Sequence, residues 1–196
     1  SLTPTNASYD DWETIRGSSY IWGNAPITDA QAAAYHAAGF EIGLHLYRNC
    51  EVYTKSQLRT AFSNELASFT NLFPSLPPQS SHRVHCIAWS GYTSMPEVEF
   101  ENGIRFDVNY YYWPPTWVND VPGVFTGSAM PMRFADTNGR VIDVYQGVTQ
   151  MTDESDQSYP FTSDPLLDRA VGPEGYFGAY VANMHTDFNP SPGSIG

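Results

Sequence analysis

The amino-acid sequence predicts an α/β fold, a deformed barrel-like parallel sheet of about seven strands with helices on the outside. Two observations lead to this prediction. Short apolar segments with strand character alternate with helical segments early in the chain and with loops later. Polar residues, several of them histidines, stand near the ends of the predicted strands. In a parallel sheet these ends meet at one mouth, so the same pattern predicts a functional site there.

The length and composition of the chain predict a single domain. The chain has 196 residues, of which 41% are hydrophobic and 15% aromatic. This provides one hydrophobic core and is too little for two large ones. We therefore expect residues 1–196 to form one domain, either on its own or as a fragment of a larger secreted protein.

Two capping patterns predict where helices begin. Thr28 is followed three residues later by Gln31, and an alanine-rich stretch then continues to Gly39. Thr54 and Gln57 repeat the same spacing, in which each side chain bonds the other residue's backbone N–H. Apolar residues recur at helical spacing in the second helix: Leu58, Phe62, Leu66, Phe69 and Phe73.

Six segments have the apolar, β-branched and aromatic character of strands. They are residues 40–47, 83–89, 104–113, 129–134, 141–145 and 178–185. In the first of them Ile42, Leu44 and Leu46 alternate with His45, which predicts one apolar and one polar face.

The acidic composition excludes two classes of partner. The net charge is -12, and Lys55 is the only lysine. Such a surface repels nucleic-acid phosphates and anionic membranes. No segment approaches the roughly 20 apolar residues of a membrane span. Acidity, low lysine content and the glycosylation sequon at Asn6 suit a secreted or cell-surface protein. If it has a signal peptide, we expect that segment to lie outside this chain, and the oligomeric state stays open.

Histidines and cysteines mark the predicted site. His45, His85 and His185 end apolar strands, and neutral imidazoles at converging strand ends can share a cation such as Zn²⁺. Any one of them alone is more often a structural histidine. Cys50 and Cys86 each follow a segment with site histidines, so we expect a disulfide between them, with two buried free thiols as the alternative.

One segment carries a family resemblance. Residues 39–49, Gly-Phe-Glu-Ile-Gly-Leu-His-Leu-Tyr-Arg-Asn, resemble the Gly-His-Glu-Ile-Gly-Asn-His-x-x-x-His stretch of polysaccharide deacetylases with the nodulation-type deacetylase fold. The resemblance implies that His45 is a ligand of Zn²⁺ or another divalent metal. Asn49 stands where the family has its second histidine, and His85 is the candidate to supply the missing nitrogen.

Later segments resemble the same family in the same order. Arg83 matches the arginine of its Arg-Pro-Pro-Tyr-Gly motif, and Asp107 and Trp113 match a region that binds substrate. His185 matches the closing Leu-x-Leu-His segment, which implies a general acid. Tyr47 and Trp89 belong to an aromatic group near the strand ends, where flat rings can pack on sugars or simply fill a half-buried strand.

The family's first strand, which ends in Thr-Phe-Asp-Asp-Gly and supplies the catalytic base, has no counterpart in the sequence. Either this first strand is missing from the chain, or the chain has abandoned that chemistry. The resemblance thus implies a metal-dependent hydrolase that removes acetyl groups from an N- or O-acetylated polysaccharide. A non-catalytic carbohydrate-binding or adhesion module on the same scaffold is the main alternative, and another secreted amide or ester hydrolase is a further one.

Overall fold

A parallel sheet of five strands forms the centre of the structure. The computed structural model describes residues 16–48, 52–85, 91–109, 130–152, 168, 171–173 and 179–185. The strands lie in sequential order and are all parallel over this part of the chain. They are β1 (Ser18–Ile21), β2 (Glu41–Tyr47), β3 (Ser81–His85), β4 (Phe106–Asp107) and β5 (Tyr145–Gln146). Within the described residues the sheet is not closed.

Three helices connect the first four strands. They are α1 (Asp29–Ala37), α2 (Lys55–Leu72) and α3 (Ser94–Glu101). A separate parallel pair follows, made of β6 (Thr149–Thr152) and β7 (Val181–Asn183). None of the helices in the described ranges is long and apolar enough to cross a lipid bilayer.

The predicted α/β class and the parallel sheet are confirmed, with β6 and two further elements that the sequence analysis missed. These are β1, which is short and half serine, and α3, which contains Pro96 in its first turn. The predicted strand at 129–134 is wrong over 130–134, where only an isolated antiparallel bridge joins Met132 to Gln146. Pro131 has no N–H to donate, which disfavours a continuous ladder.

The two predicted capping patterns are confirmed. The Thr28 and Thr54 side chains accept hydrogen bonds from the backbone N–H of Gln31 and Gln57, and both glutamine side chains bond back. Gly39 ends α1 with a φ of 88°, a left-handed conformation that residues with a Cβ rarely adopt.

The hydrophobic core lies between the sheet and the helices. Alternate residues of β2 and β3 point into it together with one side of α2 and α3. Its buried members are Ala32, Ile42, Leu44, Leu46, Tyr53, Leu58, Phe62, Phe69, Phe73, Val84, Met95, Val98 and Ile104. The opposite face of the same strands is more polar, because it carries the residues that alternate with these.

The register of β2 against β3 decides which residues share that polar face. His45 pairs with Arg83, and Tyr47 pairs with His85. Side chains of parallel paired residues point to the same side of a sheet. The two histidines therefore lie on one face, on neighbouring strands and close to the carboxyl edge.

We expect Thr54→Ala to lower the free energy of unfolding by about 1 kcal/mol, because the orphan N–H of Gln57 loses its acceptor. Urea denaturation measures this change. Thr60→Ala is the matched control: Thr60 lies inside the same helix, its hydroxyl bonds only the Ser56 carbonyl, and it should change stability by less than about 0.5 kcal/mol. Equal losses in both variants would contradict the capping role.

Candidate functional site

A cleft opens at the carboxyl edge of the sheet, next to the ends of β1 and β2. Its volume is about 420 Å³. The lining residues are Trp22, Gly23, Asn24, His45, Tyr47 and Glu65. This cavity is called the edge cleft below. It lies where ligands usually bind to parallel α/β sheets, outside the carboxyl ends of the strands.

Four aromatic rings pack against one another at the edge cleft. Trp22 is central, with ring centroids 6.0 Å from His45, 5.8 Å from Tyr47 and 5.4 Å from His85. The two imidazoles are 5.6 Å apart, and Tyr47 stacks on His85 at 5.6 Å. The sequence analysis expected the histidines and Tyr47 here but did not single out Trp22, which follows the unpredicted strand β1.

The His45 ring is oriented by the backbone and held neutral. Its Nδ1 lies 3.2 Å from the Arg83 carbonyl oxygen, which can only accept, so Nδ1 carries the proton. Burial lowers the pKa of His45 to about 4, and the charge of Arg83 contributes to this shift. The lone pair on Nε2 is therefore available to a ligand at neutral pH, the arrangement in which histidines bind metals.

Glu65 places a carboxylate in the wall of the edge cleft. Its Oε2 accepts a hydrogen bond of 2.9 Å from the Tyr47 N–H, and burial raises its pKa. The sequence analysis missed this residue, although a signal existed. Glu65 lies three residues after Phe62 and four before Phe69, so it is a charged residue within the apolar stripe of α2.

Arg83 lies under the cleft instead of in its wall. Its side chain is buried and donates to the Val108 carbonyl oxygen and, at 3.4 Å, to Thr149 Oγ1. These bonds connect β3 to the segment after β4 and to β6. The residue thus holds the strand ends together, and its carbonyl oxygen orients His45.

A second group of polar side chains is buried on the other face of the sheet. His82 Nδ1 lies 2.7 Å from Glu99 Oε1, and Asn109 Nδ2 lies 3.0 Å from the same ring nitrogen and 2.9 Å from Asp107 Oδ2. Gln146 borders Glu99. These five residues, the buried polar cluster below, are at most 2% exposed.

Burial disfavours charge throughout the buried polar cluster. It lowers the pKa of His82 to about 4 and raises the pKa of Glu99 to about 7. The pKa of Asp107 also lies well above its usual range, through burial and the neighbouring Glu99 carboxylate. Between about pH 4 and pH 7 the contact between His82 and Glu99 is therefore a hydrogen bond between neutral groups, not an ion pair.

The buried polar cluster also contains a group that could hold a metal ion. Ligand atoms of His82, Glu99 and Asp107 all lie within 4.8 Å of one another. In the sequence analysis Asp107 was assigned to substrate binding, and Glu99 was not considered because α3 was not predicted. The structure places Asp107 in the core with 0% exposure, away from the wall of the edge cleft.

The remaining predicted site residues divide into two groups. His185 is exposed and follows β7, outside the five-stranded sheet. The other positions lie outside the described residues, so their predicted roles, including the disulfide, stay predictions: Asn49, Cys50, Cys86, Trp89 and Trp113.

Comparison of the chain with protein-family models, with curated protein sequences and with solved structures finds no significant match. The family resemblance therefore depends on the motifs themselves, and function is argued below from the geometry of the site.

We expect the contribution of Glu99 to the stability of the metal-free protein to fall as pH rises from 6.5 to 8. The pKa of Glu99 is higher in the folded chain than its ordinary value of 4.5, so its contribution is complete at low pH and is lost as pH rises through about 7. His82 is neutral in the folded chain but half protonated in the unfolded chain at pH 6.5, because its pKa falls from 6.5 to about 4 on folding, and this adds a slope of the opposite sign. The Glu99 contribution is therefore measured as the difference in stability between the wild type and Glu99→Gln. The loss should be about 1 kcal/mol.

Urea denaturation in the presence of a chelator measures this dependence on pH. Glu99→Gln removes the titrating carboxyl group with little change of shape, so the stability of the wild type relative to this variant should fall by about 1 kcal/mol between pH 6.5 and 8. Glu101→Gln, an exposed position on the same helix, is the control and should keep the dependence. Parallel curves for the wild type and Glu99→Gln over this range would contradict the assignment.

Proposed function

We propose that this chain is a metal-dependent hydrolase that removes acetyl groups from an N- or O-acetylated polysaccharide, with the edge cleft as its active site. The observation that carries the proposal is the pair His45 and His85, whose rings lie 5.6 Å apart. His45 lines the edge cleft, and His85 packs against the cleft residues Trp22 and Tyr47. The motif around His45, with its resemblance to polysaccharide deacetylases, supports the same reaction.

The two imidazoles fit a shared divalent cation. Zinc binds histidine nitrogen at about 2.0–2.1 Å, which places each ring centroid roughly 3 Å from the ion, so two rings can lie up to roughly 6 Å apart. The proton of His45 is on Nδ1, which leaves Nε2 as the ligand atom. We propose Zn²⁺ as the ion, with Asn49 as a further ligand. Such an ion supplies Lewis acidity for hydrolysis of an acetyl carbonyl.

Glu65 is a carboxylate that can take up a proton at the edge cleft. Its Oε2 is held by the Tyr47 N–H, and its raised pKa makes it a stronger base than an exposed glutamate. We propose that it takes the place of the family's aspartate pair, which has no counterpart in this sequence. We assign it the role of general base that accepts the proton of the attacking water at its Oε1 atom.

Two further roles come from the motif resemblance. His185 is the proposed general acid, which protonates the departing amine or alcohol. Arg83 is a positioning residue, because it contacts the strand ends and orients His45 without lining the cleft.

The aromatic rim supports a glycan as the substrate. Trp22 is 43% exposed and Tyr47 is 52% exposed, so both rings offer flat apolar surface beside the histidines. Such surfaces pack on the apolar faces of sugars, while polar groups such as Asn24 contact hydroxyls. We propose Trp89 and Trp113 as further rings that bind the substrate. The acidic surface suits a secreted enzyme that acts on a neutral polysaccharide.

The finer fold assignment is part of the same proposal. Five parallel strands in sequential order, the first four joined by helices, are the arrangement from which a barrel is built, because right-handed connections then place every helix on one face. We propose that about seven strands complete a deformed barrel with the polar face of β2 and β3 inside.

A carbohydrate-binding module without catalysis is the second candidate function. The aromatic rings of the edge cleft favour it as much as they favour an enzyme. A binding module differs from the enzyme because binding a sugar requires neither a metal nor a base.

We expect His45→Ala and His85→Ala each to abolish near-stoichiometric zinc binding at the edge cleft and to reduce kcat/KM for acetate release by at least about 100-fold. N-acetylglucosamine oligomers and an O-acetylated xylan are suitable substrates, and metal content is measured by mass spectrometry. His36→Ala, at an exposed position on α1, is the control and should retain both properties. Acetate release that persists without the two histidines would contradict the proposal.

We expect Trp22→Ala to weaken glycan binding by about 1–2 kcal/mol, because the central ring of the aromatic rim is removed. Isothermal titration with the same oligomers measures this loss. Tyr35→Ala removes another exposed ring, on α1, and should leave the affinity unchanged. If Trp22→Ala binds the glycan more weakly than the wild type, and the wild type releases no acetate with or without zinc, the result favours the binding module over the enzyme.

A further inference from the structure

The buried polar cluster contains more polar atoms than its hydrogen bonds satisfy. Within the described part of the chain, no hydrogen bond of normal geometry reaches His82 Nε2, Glu99 Oε2 or either amide atom of Gln146. His82 is 2% exposed, and Glu99 and Gln146 are 0% exposed. Buried polar groups are almost always satisfied, so orphan atoms on three neighbouring side chains indicate a missing partner.

We propose that the buried polar cluster is a structural binding site for a divalent transition-metal ion, held by His82, Glu99 and Asp107. The three residues offer one nitrogen and two oxygen ligands within 4.8 Å of one another. Bonds of about 2.0–2.2 Å to a central ion need only small movements from these positions. Gln146, which borders Glu99, brings an amide oxygen as a fourth donor.

The donor set indicates the class of ion. Imidazole nitrogen suits Zn²⁺, and carboxylate oxygen suits Mn²⁺, whereas Ca²⁺ and Mg²⁺ bind through oxygen alone and Mg²⁺ keeps several waters. A site with no exposure to solvent has little room for such waters. We therefore expect Zn²⁺ or Mn²⁺ to bind and Ca²⁺ and Mg²⁺ to bind weakly.

The charge of the cluster also favours a cation. Two carboxyl groups lie side by side among apolar residues, with the Phe62 ring centroid 4.6 Å from the His82 ring. Such a pair cannot be ionised without compensation. A divalent ion balances both negative charges and also supplies the partner that the orphan atoms lack.

The location of the ligands indicates a structural role. His82 belongs to β3, Glu99 to α3, Asp107 to β4 and Gln146 to β5, so one ion would join four elements. The cluster lies on the helix-covered face of β3, whereas the side chains of His45 and His85 lie on the other face. The proposal is therefore independent of the hydrolase and requires no access for a substrate.

Thermal unfolding of chelator-treated protein tests the site. Zn²⁺ or Mn²⁺ at a hundredfold excess over its Kd should raise the Tm by about 5–10 °C, because an ion that binds only the folded chain stabilises it by mass action. Ca²⁺ and Mg²⁺ should change the Tm by less than about 1 °C. No shift with Zn²⁺ or Mn²⁺ would overturn the proposal.

Matched variants assign the shift to the cluster. Glu99→Gln should lose it, whereas Glu101→Gln, an exposed position on the same helix, should keep it. Asp107→Asn removes a ligand from a different element and decides the question if Glu99→Gln does not fold. A shift that survives in a folded variant of either ligand would overturn the assignment.

The metal content of His45→Ala separates this site from the edge cleft. A variant that loses one zinc and keeps the Tm shift supports two independent sites. If His45→Ala keeps all its metal and Glu99→Gln loses it, the proposed hydrolase centre fails while the structural site stands. The reverse pattern overturns the structural site alone.

Discussion

The register of β2 against β3 is the constraint on which both candidate sites depend. Pairing of His45 with Arg83 places His45, Tyr47 and His85 on one face and sends Leu46, Val84 and His82 to the other. A slip of one residue would bury the cleft histidines against α2 and expose core side chains, so the buried apolar residues enforce the register that the site requires. Stability and site geometry therefore depend on the same backbone pairing.

The five residues of β3 show how one strand serves two environments. His82 lies against Phe62 and Glu99 in the core, whereas His85 lies among rings at the edge cleft. Arg83 lies between them and uses its guanidinium group to connect the strand ends. Because alternate side chains meet different surroundings, two histidines only three positions apart have different chemistry.

The polar groups of the two sites are prepared in different ways. At the edge cleft backbone groups orient the side chains: a carbonyl oxygen orients His45, and a backbone N–H holds Glu65. In the buried polar cluster side chains orient one another, with Asn109 held by the Val84 N–H so that its amide nitrogen faces Asp107 and His82. The first arrangement leaves ligand atoms open toward a cavity, and the second encloses them.

The sequence by itself determined the features that depend on local order. The capping pairs at Thr28 and Thr54, the stop at Gly39 and the alternation in β2 follow from neighbouring residues, so they were predictable, and so was the parallel α/β class. The tertiary structure alone decided which residues distant in the sequence contact one another. Trp22 and Glu65 come to the cleft from a short strand and from a helix, and Asp107 turns toward α3, because packing and sheet register set these contacts and neither has a local sequence signal.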